Sequence, residues 1–508
     1  MHSLLFGIQP SKGMGLPQAA RSATGITMLP DPPATNCSQY AAAATGIKYL
    51  FRTAILRWNV FPLGASADKD RELWHGRGMK TAKHFTTIDQ IWEHLDGLGF
   101  FHMDLSLTRM ETALSRLGLP RPPLVVAQIV GTNGKGSSSH TLASILQADG
   151  HRVGLYTSPH LVDFRERIRV NGVMMPEEYV VDFVREERSF FEPLHPSFFE
   201  LTTAMAFKYF AEQEVDIAVV EVGLGGRLDC TNIITPQLSI ITNISVDHTQ
   251  FLGHTLPEIA HEKAGIIKPH VPVVVGEAVA ETRPVFEAKA HACESPIFFA
   301  EDRPEVLAAH DTPEGREYET RSFGTLLGDL RGDYQTRNAN TILASVSQLL
   351  SRGTLRHPES IGEGFRSVCR TTGLMGRWQP LPGHPHAVCD TGHNVAGWQM
   401  LAPQIMAQPA RKRRLVFGMV DDKDLTHVME LLPREATYYW TQPSTHRAFP
   451  AEKVAECGRA HGLHGTLHPS VAEAYRAALA DAAPDDFIFV GGSSYVVADL
   501  LASLQEKP

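Results

Sequence analysis

Five short runs of β-branched and aliphatic residues, LVVAQIV, RVGLYTS, DIAVVEVG, LSIITNIS and VPVVVGE, recur between residues 124 and 277 with helical stretches between them. Strands that read as nearly continuous apolar runs are covered on both faces, and strands separated by helices join as parallel β-α-β units. That alternation predicts an α/β fold built on an open, mostly parallel sheet. A second series, HAVCDTGHN, RRLVFGMVDDKD, ATYYWTQ and DFIFVGGSS, follows the Gly- and Pro-containing stretch TTGLMGRWQPLPG at 371–383. It predicts a smaller, Rossmann-like α/β domain at the C-terminal end. The predicted division is an extension over 1–78, a first domain over 79–372 and a second over 373–508, with the stretch at 371–383 as the linker.

The 508 residues suffice for two such domains. A net charge of −9 offers no broad basic surface for nucleic acid or an anionic membrane, so neither is expected as a partner and any anionic ligand must be met locally. No run approaches the roughly 18 to 20 apolar residues of a membrane span. Six scattered cysteines without a C-x-x-C pair argue against a zinc or disulfide framework and fit a reducing compartment, with the cytoplasm and a monomer as the expectation. Up to Ala67 the chain has one acidic residue, Asp31, and three readings stay open for the leader: sequence upstream of a true start at Met79, a disordered tail, or a targeting peptide. Beyond it, TIDQIWEHLDGLG places Ile88, Ile91, Trp92, Leu95 and Leu98 at the spacing of an amphipathic helix.

The run at 124–130 is followed at once by GTNGKGSSSH. Glycines let successive backbone N–H groups approach phosphate oxygens, a helix predicted over 138–148 offers its positive end, and Lys135 adds a charge. Residues 131–137 therefore read as a phosphate cradle, although the spacing is not that of G-x-x-x-x-G-K-[ST]; a ligand-free turn is the alternative. An acid inside an apolar strand, as Glu221 is, costs several kcal/mol unless paired or metal-bound. Glu221 and His248 would each supply one ligand to a divalent ion, or else be hydrogen-bonded core residues. Magnesium prefers oxygen and keeps waters, which suits a carboxylate with phosphate oxygens and makes an imidazole the less usual addition. Ligands of open α/β sheets bind beyond the carboxyl ends of strands, where these clusters fall, so the cleft between the domains is the expected site.

Taken together and in order, GTNGKGS, TSPHL with RERIRVNG, EVGLGGRLD with TN, DH with LG, EKAGI, GDYQTRNA and DTGHN resemble the folylpolyglutamate synthase and dihydrofolate synthase family of the Mur ligase superfamily, from Met79 to about Leu501. The resemblance implies a P-loop-containing Mur ligase-like central domain that holds ATP phosphates at Asn133, Gly134, Lys135, Gly136 and Ser137. It implies magnesium ligands at Ser158, Glu221 and His248, and a carbamylated lysine at Lys263 that would help hold a second ion. On the adenine and ribose side it implies Asn338, Arg377 and Asp390, with Asp390 and His393 also in positioning or proton handling. For the pteridine it implies His102, Met103, Asp104 and Leu105, then Phe199, Glu200, Leu201 and Thr202, then Arg227 and Asp229. Gly392, Val395 and Met375 depart from the residues usual there, without removing a functional group. The implied reaction activates a carboxylate of dihydropteroate or a reduced folate as an acyl phosphate, which the amine of L-glutamate then attacks. Two rivals remain: a ligase for UDP-muramoyl substrates, which needs an N-terminal domain longer than the stretch from Met79 to Gly131, and a nucleotide-sensing module that makes no bond.

Overall fold

The computed structural model describes residues 107–118, 125–421 and 423–505, all within one compact unit running from Lys83 to Pro508. The leader, the amphipathic pattern at 86–99 and the expected pteridine contacts His102, Met103, Asp104 and Leu105 lie outside the described residues.

After α1 (Thr108–Arg116), the chain builds an eight-stranded sheet from β1 (Val125–Val130), β2 (Val153–Tyr156), β3 (Ile168–Val170), β4 (Val173–Met174), β5 (Ile217–Glu221), β6 (Leu238–Ile241), β7 (Val273–Val275) and β8 (Ile297–Phe299). Their order is β4-β3-β2-β5-β1-β6-β7-β8. The six strands from β2 to β8 in that order are parallel, as expected, and buried on both faces through their centre. β1 lies between β5 and β6, so successive connections leave it toward opposite sides, and the crevice beyond its carboxyl end is the switch point where ligands of such sheets bind. Two strands were not anticipated. β3 and β4 extend the sheet antiparallel through a two-residue turn, Asn171 and Gly172, both with positive φ; Asn-Gly is the pair that such a hairpin favours.

The helix after β1, α2 (Lys135–Ala148), begins three residues before its expected start. Gly134 takes the N-cap with φ +83°, a left-handed backbone that lets the turn fold directly into the helix. Ten of its fourteen residues, from Ser137 to Leu146, are buried, because it packs on the sheet and against α8 (Gln335–Ser351) and α9 (Glu359–Arg366).

Between β8 and α8 the chain departs from strand-helix alternation. β9 (Val306–Asp311), β10 (Arg316–Thr320) and β11 (Thr325–Gly328) form a separate antiparallel sheet. α10 (Val368–Thr372) closes the first half, so Thr371 and Thr372 are helical and the connection is 373–378. The expected linker was therefore too long at both ends: β12 (Gln379–Pro380) already pairs antiparallel with β13 (Ala387–Asp390). The remaining strands β14 (Arg413–Phe417), β15 (Ala436–Trp440), β16 (His464–Leu467) and β17 (Phe487–Gly491) complete a sheet of order β12-β13-β17-β14-β15-β16, parallel apart from β12. Trp398, Phe417, Trp440 and Phe489 fill its core on one face. Each such fully buried side chain contributes about 1.5 to 3 kcal/mol of transfer free energy. No helix among the described residues is long and apolar enough to cross a membrane.

Candidate active site

The loop after β1 accepts only glycine at its first position. A Cβ on Gly131 would fall 1.8 Å from Thr242 Oγ1, and that hydroxyl is needed to donate to the Asn133 carbonyl at 2.5 Å. The Asn133 N–H donates to Asn243 Oδ1 at 3.0 Å, so the end of β6 holds the loop open from below. Lys135 Nζ donates to the carbonyls of Gly131 (3.1 Å) and Thr132 (3.2 Å), and Lys263 Nζ donates to the same Gly131 carbonyl at 3.0 Å. Two lysine side chains thus converge on one carbonyl beneath the helix start. Burial lowers the Lys135 pKa, with Glu221 and Asp247 acting the other way. Burial also pushes Lys263 down to about 7, with Lys135 adding to the effect. Ser137, buried, accepts from Gln335 Nε2 at 3.2 Å.

Glu221 ends β5, and Ser158 follows β2. The Ser158 N–H donates to Glu221 Oε2 at 3.2 Å, which draws two of the three expected metal residues together. Burial raises the Glu221 pKa, while Lys135, the Ser158 N–H and Arg377 favour the anion. His248 stands on an exposed turn with φ 51° and its ring 3.9 Å from Asp247 Oδ1; no contact joins it to Glu221. Among the described residues no three His, Cys, Asp or Glu side chains are grouped to hold a metal. Ser158 and Glu221, drawn together, offer a hydroxyl and a carboxylate, the kind of oxygen donors a hard divalent ion takes.

The residues expected from the second half divide in two. Arg377 reaches the loop: a Cβ on Gly136 would lie 3.4 Å from Arg377 Nη2 and 3.9 Å from Glu221 Oε2. Its Nη1 donates to the Gly376 carbonyl at 3.1 Å and also contacts the Thr391 hydroxyl. Asn338 Oδ1 lies 2.2 Å from where a Gly134 Cβ would be, and its amide donates to Gln335 Oε1 at 2.8 Å. Asp390, in contrast, is already engaged. Its Oδ2 accepts from the Tyr334 hydroxyl (2.5 Å) and the Trp378 N–H (2.8 Å), and its Oδ1 from the Gly392 N–H (2.8 Å). Expected on the nucleotide side and in positioning or proton handling, it ties α8, the connection and β13 together. His393 Nδ1 meets the Thr391 carbonyl at 3.0 Å, and its Nε2 lies 3.7 Å from Asp247 Oδ2.

Asp247 was missed by the sequence reading and is the hub between the halves. Lys423 Nζ donates to its Oδ1 at 2.8 Å and Asn394 Nδ2 to its Oδ2 at 2.9 Å; Asn394 Nδ2 also reaches Asn133 Oδ1 at 3.1 Å. Burial opposes ionisation of Asp247, but His393 and the Lys423 ammonium hold its carboxyl well below the usual range. The signal lay in strings already noted: Asp247 precedes His248, Asn394 ends DTGHN and Lys423 lies in DDKD.

On the expected pteridine side the side chains are largely committed to packing. Glu200 Oε2 accepts from the Ser197 N–H and hydroxyl, and Arg109 Nε donates to its Oε1 at 3.0 Å. Leu201 is in the core, and Thr202 is fully buried with its hydroxyl on the Phe199 carbonyl and Tyr156. These three side chains, expected as pteridine contacts, stand in a capping box and in the core. Phe199 is half-buried, its ring 2.3 Å from where a Gly223 Cβ would be. Asp229 is buried and accepts from the N–H groups of Leu224 and Thr231, shaping the glycine-rich turn; Arg227 is exposed and pairs with Glu262 at 3.0 Å.

Residues 129–302 match the family described as Mur ligase middle domain, and 376–494 match Mur ligase, glutamate ligase domain. Dihydrofolate synthase/folylpolyglutamate synthase of Escherichia coli (strain K12) is 33% identical over 426 residues, covering 82% of this chain and 94% of that protein. The structure of E. coli FolC in complex with DHPP and ADP superposes with TM-score 0.73 at 31% identity, over 84% of this chain and 99% of that one. A bifunctional folylpolyglutamate synthase/dihydrofolate synthase with Mn, AMPPNP and L-glutamate bound gives TM-score 0.71 at 28% identity, over 84% of this chain and 100% of that one.

Proposed function

The chain belongs to the dihydrofolate synthase/folylpolyglutamate synthase family, and on that premise we propose that it is bifunctional, adding L-glutamate both to dihydropteroate and to the tail of reduced folates. The activity is an ATP-dependent ligation that uses a divalent metal. The observation that carries the reading is the convergence of Lys135, Arg377 and Glu221 on the first turn of α2, with Lys263 beneath it on the Gly131 carbonyl. Cations around a bare backbone receive a triphosphate, and the single carboxylate marks where its metal belongs.

A carboxylate is a poor acyl donor because oxide is a poor leaving group. Its attack on the γ-phosphorus of ATP gives an acyl phosphate and ADP; the glutamate amine then attacks the acyl carbon, and phosphate leaves as the amide forms. Lys135 stabilises the charge that builds on the transferred group, and the loop N–H groups orient it. Ser158, Glu221 and His248 would hold magnesium, which supplies further neutralisation of phosphate charge. Lys263, at a pKa of about 7, offers the neutral amine that carbamylation needs, and a carbamate there would add an anion for a second ion. Asn338 and Arg377 belong to the nucleotide, Phe199 and the turn shaped by Asp229 to the pteridine. Asp390 acts by positioning His393 and the connection. The chain divides into domains near Thr372, and the joint of Asp247 with Lys423 and Asn394 brings the two halves together so that water is kept from the acyl phosphate.

The test is ADP release by the full chain with magnesium, ATP and glutamate, supplied with dihydropteroate in one reaction and a reduced monoglutamyl folate in another. Release in both is expected, and Lys135→Ala should lower it by about 100-fold or more. Release with only one acceptor overturns bifunctionality, and silence with both overturns the ligase reading.

A further inference from the structure

Glu166 sits at the third position of the 3-10 turn Phe164–Arg167, where a carboxylate ordinarily reaches back to one backbone N–H, that of the cap. Here it gathers three in succession. Its Oε1 accepts from the N–H groups of Val162 (2.9 Å) and Asp163 (2.8 Å), and its Oε2 from that of Leu161 (2.8 Å). Successive N–H groups turned to one point make a concavity for an anion, and in this chain the anion is supplied from within. The loop before the turn is held as well. His160 Nδ1 accepts from Arg167 Nε at 2.8 Å, and the Ser158 N–H is on Glu221, while Pro159 between them has no N–H to hold. Residues 158–163 therefore form a rigid piece rather than a free connection out of β2.

The two ends of that piece stand in different parts of the molecule. At one end Ser158 and Glu221 offer the oxygen donors of a divalent ion. At the other, Leu161 and Val162 pack against the core cluster of the second half that contains Val497 and Leu500. Leu161 Cδ1 also lies 3.0 Å from where a Gly376 Cβ would be, on the connection and beside Arg377. A rigid body moved at one end moves at the other. Groups that orient the ligands of a metal without touching the ion govern its affinity strongly. We propose that Glu166 is a positioning residue for the metal. By locking 158–163, it lets the seat of the second half on Leu161 and Val162 set the place of Ser158 against Glu221. The metal site is then complete only where the two halves are together. The inference rests on the ligase reading and on its metal.

The affinity for AMPPNP, measured by calorimetry on the full chain with Mn2+ and again with EDTA, separates this role from general support. Mn2+ should tighten binding to the wild-type chain. Glu166→Gln sets an amide NH2 against N–H groups that need an acceptor, and it should remove about tenfold of that gain while binding in EDTA stays within about twofold. Leu161→Ala, at the other end of the piece, should lower the gain by about threefold or more, again with binding in EDTA unmoved. Glu166→Asp keeps the charge but falls one methylene short; it should recover part of the gain, and it carries the test should the glutamine variant fail to fold. A gain equal to wild type in these variants overturns the inference. So does a loss of the same size with and without Mn2+, which would make the loop a support of the nucleotide site at large. A wild-type chain that binds AMPPNP no more tightly with Mn2+ than in EDTA overturns the metal's part in the ligase reading, and one that does not bind it overturns that reading outright; either result takes this inference with it.

Discussion

Lys263 shows how one side chain can be tuned by place rather than by partners. It is 5% exposed, and its one hydrogen bond is to a carbonyl that Lys135 also uses. Burial first, and Lys135 second, depress its pKa to about 7, whereas a lysine in the unfolded chain holds its proton to about 10.4. Between those values the unfolded state binds the additional proton, so stability rises with pH across that window, by up to about 1.4 kcal/mol per unit. In carbon dioxide-free buffer, Lys263→Met should flatten that rise in denaturant titrations run from pH 7 to 10; an unchanged slope would mean the lysine is not the titrating group. Lys135, Glu221 and Lys263 were legible in the sequence because each stands in a short string beside its own strand or helix end. Asp390 and Glu200 were legible as polar residues but their partners were not, since Tyr334 and Arg109 are distant in the chain.

Among elements, α2 depends on one backbone angle. Gly134 sits at φ +83°, and a Cβ there would also strike Asn338 Oδ1. Gly134→Ala should therefore cost about 1 to 3 kcal/mol of stability and displace Asn338 from the loop. Chemical denaturation reads the first effect. A rise of about tenfold or more in the ATP concentration needed for half-maximal ADP release reads the second, and an alanine variant matching wild type in both would refute the cap's role. The parallel strands were visible because burial on both faces writes an unbroken apolar run. The sheet of β9, β10 and β11 was not, because β9 is half-buried or exposed throughout and carries His310 and Asp311, β10 carries Arg316, Glu317 and Glu319 beside the buried Tyr318, and β11 is only four residues long. The β3–β4 hairpin was readable in principle from Asn171 and Gly172, but each flanking strand is too short to register as a run.

Over the whole molecule, the joint between the halves runs through polar contacts whose residues stand in recognisable short strings but whose pairing, across more than a hundred residues, no string shows: Lys423 and Asn394 on Asp247, and Asn394 on Asn133. The Lys423 and Asp247 side chains are 8% and 10% exposed, so removing the charge of one leaves the other poorly solvated, at a cost of about 3 kcal/mol to that contact. Asp247→Asn should accordingly speed tryptic cleavage near Arg370 and Arg377, at the ends of the connection, by about tenfold or more; a digestion rate equal to wild type would show that the halves are held by something else. Asn133 belongs at once to the phosphate loop and to this joint. Coupling free energies are reciprocal: whatever factor a bound nucleotide multiplies the joint's equilibrium by, the joint multiplies nucleotide affinity by the same factor. The two halves and the nucleotide therefore form a closed thermodynamic cycle, and a substitution in the joint reports on binding at the loop without touching a ligand.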